Sequence, residues 1–182
     1  KCILDAGSVL NHEFIIKHPT FENRKLHIFS LAPEKRCYWK EGVSYFYDDL
    51  RNIPIKDNFY DAIICLSTLE HIGCDNTGYI ECNNYQESNL EDFSLAMKEL
   101  YRILKLGGSL FLSVPYGKYQ NFGTFQQFDH NLLEQAITVF GETKEVNKTF
   151  YKYNSQGWQI SKAEECDNCE FVEWYAKALQ TH

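Results

Sequence analysis

Three short apolar runs, separated by stretches of helical or loop character, constrain the fold of this chain more than any other feature. They cover residues 2–8, 58–71 and 104–115; the first ends in an acid and a glycine, and the second ends in small polar residues and a Glu-His pair. Strands that alternate with helices in this way favour a parallel sheet with a ligand crevice at its carboxyl-terminal edge. The sequence therefore predicts an α/β fold with a site at the strand ends.

Size and charge narrow the functional classes. The 182 residues suffice for one domain with its own core, and we assign residues 1–182 to a single domain that could be part of a longer chain. The net charge of -7 argues against nucleic acid as a partner, because phosphate binding needs clustered Lys and Arg. No apolar run reaches the roughly 20 residues that a membrane span requires. The odd number of cysteines favours a reducing compartment, and we expect a cytoplasmic protein.

The predicted architecture is a Rossmann-like, mostly parallel, seven-stranded sheet with helices on both faces and an antiparallel last strand. Helical periodicity is clearest over 90–104, where residues 88–91 read as a capping box and Gly107 and Gly108 are expected to end the helix. A further helix is predicted over 132–139. Strands are predicted over 2–5, 26–30, 43–47, 60–67, 109–114, 142–151 and 171–178.

Two long stretches, 73–89 and 116–130, carry no regular pattern and leave the carboxyl ends of the fourth and fifth predicted strands. Loops of this length inside a compact domain are usually functional or mobile. The second is rich in aromatic and amide side chains, which suits either a platform for a sugar or planar substrate or a lid over the sheet. Both interpretations stay open.

The cysteines allow one metal hypothesis. Cys166 and Cys169 have the spacing of half a zinc site, and Cys74 and Cys82 could supply the other half. Nothing in the sequence joins the two pairs, so we favour unligated thiols and predict no metal.

The turn after the first strand contains Asp5, Ala6, Gly7 and Ser8. A glycine there lets the backbone approach a ligand, and the amides that open a helix can face its polar part. By itself this segment fits an ordinary strand-to-helix turn better. His71, which closes the fourth strand, is a candidate general base because histidine titrates near neutral pH, although a lone histidine is more often structural.

Taken together, several segments resemble the class I S-adenosylmethionine-dependent methyltransferases. The segments that carry this resemblance are the acid and glycine at 5–7, Phe-Tyr-Asp at 59–61, Leu-Glu-His-Ile at 69–72, and the helix, Gly-Gly and strand over 95–118. The resemblance covers roughly residues 2–135, and it is strongest to a branch found in clusters for polysaccharide biosynthesis. It implies S-adenosylmethionine as cofactor and a small-molecule or glycan acceptor.

The resemblance also implies site residues. His71 would be the catalytic base. Substrate contacts are expected from Glu70, Tyr116, Phe128 and His130. Cofactor contacts are expected from the ends of three strands, namely Asp5, Ala6, Gly7, Ser8, Asp49, Leu50, Ser67, Thr68 and Leu69.

This chain departs from the family pattern at three places. Ser30 stands where an acid normally binds both ribose hydroxyls, and Glu34 is the nearest acid that follows. Val9 and Asn11 replace later glycines of the first turn, and a His-Arg pair that precedes an aromatic residue and an Asp in the family is absent from the matching stretch, residues 125–129. These departures support an alternative function, a non-catalytic interaction or scaffold domain associated with glycan biosynthesis.

Overall fold

The main sheet consists of five parallel strands. The structure is a computed structural model that describes residues 1–80 and 85–171. The strands are β1 (Cys2–Ala6), β2 (Lys25–Ser30), β3 (Ser44–Tyr47), β4 (Tyr60–Leu66) and β5 (Leu104–Ser113), in the order β3-β2-β1-β4-β5. All four neighbouring pairs are parallel. The chain reverses its direction of winding between β1 and β4, and ligands bind at such switch points in open α/β sheets.

Burial on both faces of the sheet explains why β1, its central strand, is a nearly continuous hydrophobic run. On one face Leu4 and Ile63 are fully buried in the larger core cluster. On the other face Ile3 and Ile28 belong to a second cluster. Strands covered on both faces lose the alternation of polar and apolar residues that marks a half-exposed strand. The α/β class predicted from the sequence is confirmed.

The helices are short, apart from two. They are α1 (Glu13–Ile16), α2 (Thr77–Ile80), α3 (Phe93–Ile103), α4 (His130–Phe140) and α5 (Ala163–Cys166). Single 3-10 turns lie at Pro19–Phe21, Trp39–Glu41, Leu69–His71 and Leu90–Asp92. α3 packs against the sheet and α4. The residues that α3 buries form one apolar stripe and are Phe93, Ala96, Met97, Leu100 and Ile103.

Both ends of α3 differ from the sequence prediction. The 3-10 turn Leu90–Asp92 directly precedes α3. No side chain caps the start of the helix, and the predicted capping box does not form. The glycines do not end the helix either. The chain passes from Ile103 directly into β5, and Gly107, with φ of +77°, lies where the pairing of β5 with β4 shifts register. A positive φ in a strand is typical of a bulge, which explains the glycine there.

The remaining strands lie outside the main sheet. β6 (Gln120–Asn121) pairs with β7 (Gln126–Gln127), and β8 (Phe150–Asn154) pairs with β9 (Gly157–Ser161), both antiparallel. The strand predicted over 142–151 overlaps β8 only at its end, because its pairing partner is the local β9. The strand predicted over 171–178 lies, after Phe171, outside the described residues. The described chain thus supplies five of the seven predicted strands to the main sheet.

Two further features concern residues 1–80 and 85–171 only. Cys74, Cys166 and Cys169 are free thiols, and no group of three or more His, Cys, Asp or Glu residues in these ranges could hold a metal ion. Cys82, the fourth member of the zinc hypothesis, lies outside them. In the same ranges no helix is both long and apolar enough to cross a membrane.

Candidate functional site

A cavity of about 340 Å³ lies at the carboxyl ends of β1, β2, β3 and β4. Each strand contributes the residues at or just after its end, which are Gly7, Ser30, residues 48–51 and residues 67–68. The rest of the lining consists of Phe29, Leu31, residues 71–73, 75–76 and 78–79, Tyr85, Glu87 and Thr124. This volume falls within the range of small-molecule sites, about 300–1,000 Å³. The predicted edge of the sheet therefore carries a ligand-sized cavity.

Gly7 and Thr68 bring the ends of β1 and β4 into contact at this cavity. Gly7 has φ of +122°, and a Cβ placed on it would lie 1.9 Å from Oγ1 of Thr68. Thr68 is held by a hydrogen bond from its hydroxyl to the Leu66 carbonyl at 3.0 Å. Ser67 beside it also has a positive φ, +48°. Only glycine satisfies both the backbone conformation and the close approach at position 7.

Asp5 shapes the first turn from within the protein. It is fully buried, and its carboxylate accepts hydrogen bonds from the backbone amides of Val9 at 3.2 Å and Leu10 at 2.8 Å. Burial raises the pKa of Asp5 to about 7, against the lowering effect of these amides. Asp5, Ala6 and Ser8 do not line the cavity. Asp5 thus holds the turn that presents Gly7.

The loop after β3 carries a network of charges. Arg51 donates to both carboxylate oxygens of Asp49, from Nη2 at 2.6 Å and from Nε at 3.0 Å, in a bidentate pair. It also donates to Glu87 at 2.9 Å and to Asp92 at 2.7 Å. Although burial acts to raise the pKa of Asp49, the hydrogen bonds from Arg51 hold it below its usual value.

Negatively charged side chains outnumber positively charged ones on the lining of the cavity. Its lining contains four carboxylates, on Asp48, Asp49, Asp75 and Glu87, and one guanidinium, on Arg51. Opposite charges that face a partly enclosed cavity attract more strongly than they would in bulk water. A cationic ligand is therefore favoured over an anionic one.

His71 lines the same cavity in a defined orientation. Its Nδ1 lies 2.8 Å from the backbone carbonyl of Thr124, and its ring centre lies 5.8 Å from that of Phe125. A carbonyl oxygen can only accept, so Nδ1 carries the proton of the neutral ring. Nε2 then holds the lone pair and is the atom able to accept a proton.

The remaining predicted residues lie away from the cavity. Leu69 is in the main core, and Glu70 is 4% exposed with Oε2 lacking a hydrogen-bond partner in the described structure. Burial raises the pKa of Glu70 to about 7. Phe128 is fully buried against Phe93, with ring centres 5.3 Å apart.

Two further predicted substrate residues have other partners. Tyr116 donates its hydroxyl to Asp167 at 2.6 Å, and His130 is the first residue of α4. Neither lines the cavity, so of the four predicted substrate residues the structure places none on its surface. Of the predicted cofactor residues it brings Gly7, Asp49, Leu50, Ser67 and Thr68 together there, with the predicted base His71.

Several cavity residues were missed by the sequence analysis. Ser30 was noted only as the replacement of an acid. Asn76, Tyr79 and Glu87 lie in the stretch 73–89, whose length and position predicted a functional loop but not its individual contacts. Asp48 directly precedes the predicted Asp49. Apart from the charge of Asp48, nothing in the sequence indicated that this residue lines the cavity.

Residues 30–112 match the family model described as a methyltransferase domain. This match, the order of the parallel sheet and the cavity at the switch point agree with one another. Over residues 30–112, which are 83 of its 182 residues, the chain therefore resembles methyltransferase domains. The matched range begins at Ser30, so the Gly7 turn of this methyltransferase-like chain lies outside it. No curated protein matches the chain significantly.

Solved structures share the fold at low sequence identity. A Burkholderia thailandensis 1,6-didemethyltoxoflavin-N1-methyltransferase, solved with 1,6-didemethyltoxoflavin and S-adenosylhomocysteine, is 11% identical with a TM-score of 0.60, over 87% of this chain and 68% of that one. The [4+2]-cyclase SpnF is 15% identical with a TM-score of 0.55, over 77% and 50%. A Haemonchus contortus phosphoethanolamine N-methyltransferase 2, solved with S-adenosyl-L-methionine, is 14% identical with a TM-score of 0.54, over 99% and 39%. The chain therefore spans between 39% and 68% of the lengths of these three proteins.

Proposed function

We propose that this protein binds S-adenosylmethionine in the cavity and transfers its methyl group to a small-molecule or glycan acceptor. The observation that carries the proposal is the convergence of three stretches, Gly7, Asp49–Leu50 and Ser67–Thr68, on one cavity. These are the stretches that the family resemblance assigns to the cofactor. The match of residues 30–112 to a methyltransferase domain supports the same activity.

The residues of the cavity suit this cofactor. Gly7 presents bare backbone, and a Cβ there would occupy space between the turn and Thr68. The four carboxylates of the lining favour a ligand with a sulfonium and an ammonium group. Three of the structural neighbours were solved with S-adenosylhomocysteine or S-adenosyl-L-methionine.

His71 is the proposed general base. Bound S-adenosylmethionine supplies an activated methyl group, so the protein mainly has to align the acceptor with it. Because the Thr124 carbonyl holds Nδ1 in its protonated form, Nε2 is free to take a proton from an acceptor hydroxyl or amine. Such a proton transfer matters most for a poorly acidic acceptor.

The size of the cavity and the substrates of the structural neighbours support the proposed small-molecule acceptor. The cavity holds about 340 Å³, a volume typical of sites for small molecules. The neighbours include a methyltransferase solved with 1,6-didemethyltoxoflavin and one solved with phosphomonomethylethanolamine. We keep glycans in the acceptor class because of the resemblance to the polysaccharide branch.

Calorimetric titration with S-adenosylhomocysteine tests whether the protein binds the cofactor. Turnover is tested in a screen of small amines, phenols and nucleotide sugars, in which release of S-adenosylhomocysteine is measured. We expect saturable binding and turnover with one acceptor class. His71→Ala should lower turnover by roughly 10²–10⁴-fold while cofactor affinity stays nearly intact. No binding and no turnover would contradict the proposal and favour the non-catalytic scaffold function.

A further inference from the structure

The end of β2 presents a hydroxyl where the resemblance leads one to expect a carboxylate. Ser30 is 3% exposed and lines the cavity. Its hydroxyl lies 3.5 Å from the hydroxyl of Tyr79, a contact at the limit of a hydrogen bond. A buried hydroxyl at a cavity with so weak a partner is poised to bond a ligand.

A carboxylate reaches the same place from the neighbouring strand. The backbone amide of Asp48, directly after β3, donates to the Ser30 carbonyl at 3.1 Å, so the two residues are adjacent across the sheet. Asp48 also lines the cavity. Its Oδ1 accepts from the Asp49 amide at 2.8 Å, which orients the carboxylate. An ionised carboxylate has about four acceptor sites, so capacity for two more donors remains.

The other nearby acids are less suitable. Glu34, the acid nearest to Ser30 along the chain, accepts from Asn11 at 3.1 Å and does not line the cavity. Asp49 is engaged by the bidentate contact with Arg51. Asp48 is thus the acid best placed beside Ser30.

We infer that Asp48, together with Ser30 and Tyr79, binds the 2′ and 3′ hydroxyls of the ribose of an adenosine ligand. This inference rests on the proposed function. The two neighbouring hydroxyls of the ribose can each donate a hydrogen bond to the same carboxylate. The hydroxyls of Ser30 and Tyr79 can in turn donate hydrogen bonds to the oxygens of the ribose. The acid that the family resemblance expects on β2 is in this way supplied by β3.

Calorimetry with S-adenosylhomocysteine and with its 2′-deoxy and 3′-deoxy analogues tests the inference. The unaltered protein should bind the parent ligand about 10-fold or more tightly than either analogue, because hydrogen bonds to a charged group are strong. Asp48→Asn should weaken binding of S-adenosylhomocysteine by a similar factor. The variant should then bind S-adenosylhomocysteine and the two deoxy analogues with similar affinities. Tyr79→Phe should give a smaller loss of the same kind.

Glu34→Gln is the matched control, and it should preserve both the affinity and the preference for the intact ribose. If Asp48→Asn keeps the full preference, or if Glu34→Gln abolishes it, the inference is wrong while the proposed function stands. If the unaltered protein binds none of these ligands, the proposed function fails and the inference with it. Circular dichroism establishes that each variant is folded.

Discussion

At the scale of single residues, Gly7 combines two demands that no other residue type meets. Its φ of +122° is a conformation that side chains with a Cβ rarely adopt, and the Thr68 side chain occupies the space that a Cβ would need. The first demand comes from the turn after β1 and the second from β4, more than 60 residues away in sequence. Gly7 therefore couples two strand ends at the floor of the cavity.

Gly7→Ala should lower the free energy of unfolding by about 1–3 kcal/mol, as expected for overpacking, and weaken binding of S-adenosylhomocysteine. Denaturant unfolding and calorimetry measure the two effects. Gly42→Ala is the matched control, since Gly42 has φ of +83° but open space around its Cβ position. Equal losses from the two substitutions would show that the contact with Thr68 contributes nothing.

Glu70 is a second residue whose burial has a measurable consequence. Burial raises its pKa from 4.5 to about 7. Between these values the unfolded chain releases the proton while the folded protein keeps it, so the folded state binds more protons. The contribution of Glu70 to stability therefore falls as pH rises from about 4.5 to about 7.

Glu70→Gln should remove this decline, because an amide cannot ionise. The stability of the variant minus that of the unaltered protein should rise with pH in this window, with a slope of at most about 1.4 kcal/mol per pH unit. Urea unfolding at a series of pH values gives the difference. The exposed Glu22→Gln serves as control, and a flat difference for Glu70→Gln would contradict the prediction.

At the scale of elements, the β6–β7 hairpin holds His71 in place. Its Gln126 is 1% exposed and donates to the Leu90 carbonyl at 2.8 Å, which ties the hairpin to the turn before α3. Thr124, in the connection between the two strands, accepts from His71. An element far from the main sheet thus sets the orientation of the proposed base.

Gln126→Ala should destabilise the protein by about 1–3 kcal/mol, because the Leu90 carbonyl loses the donor that the buried Gln126 supplies. Amide hydrogen exchange within residues 120–128 should become faster, and turnover should fall more than cofactor affinity. Gln120→Ala, at an exposed position of the same hairpin, should change none of these. Unchanged exchange in Gln126→Ala would show that the hairpin is held by other contacts.

At the scale of the whole molecule, the negative charge of the protein favours binding of S-adenosylmethionine over binding of S-adenosylhomocysteine. The net charge is -7, and four carboxylates line the cavity against one guanidinium. The sulfonium of S-adenosylmethionine carries a positive charge that S-adenosylhomocysteine lacks. Loss of that charge on methyl transfer removes one electrostatic attraction between the cavity and its ligand, which favours release of the product.

Raising the ionic strength should therefore weaken binding of S-adenosylmethionine more than binding of S-adenosylhomocysteine. Screening shortens the range of electrostatic attraction from about 30 Å at 0.01 M to about 3 Å at 1 M. Calorimetry with both ligands across this range measures the ratio of their affinities. A ratio that does not change with salt would mean that the acidic lining does not discriminate between them.

Local sequence patterns predicted the strands of the main sheet and the edge where the site lies. Apolar runs predicted β1 to β4 to within one residue at each end, because a strand buried on both faces, such as β1, is apolar almost throughout. The structure corrects the start of β5, which lies at Leu104 and not at Ser109. The sequence also identified Gly7, Asp49 and His71 for the cavity, since glycine, acid and histidine directly after strands are local signals. Chain order then brings these positions to one edge.

Only the tertiary structure decided which side chains reach the cavity and which serve the core. Asp5 looks like a ligand-binding acid in sequence, yet it is turned inward to the amides of its own loop. Phe128 looks like part of a substrate platform, yet it packs on Phe93. Ser30 and Asp48 become neighbours through the pairing of β2 with β3. Such contacts join residues far apart in the chain, and the direction of a side chain depends on packing that no local pattern contains.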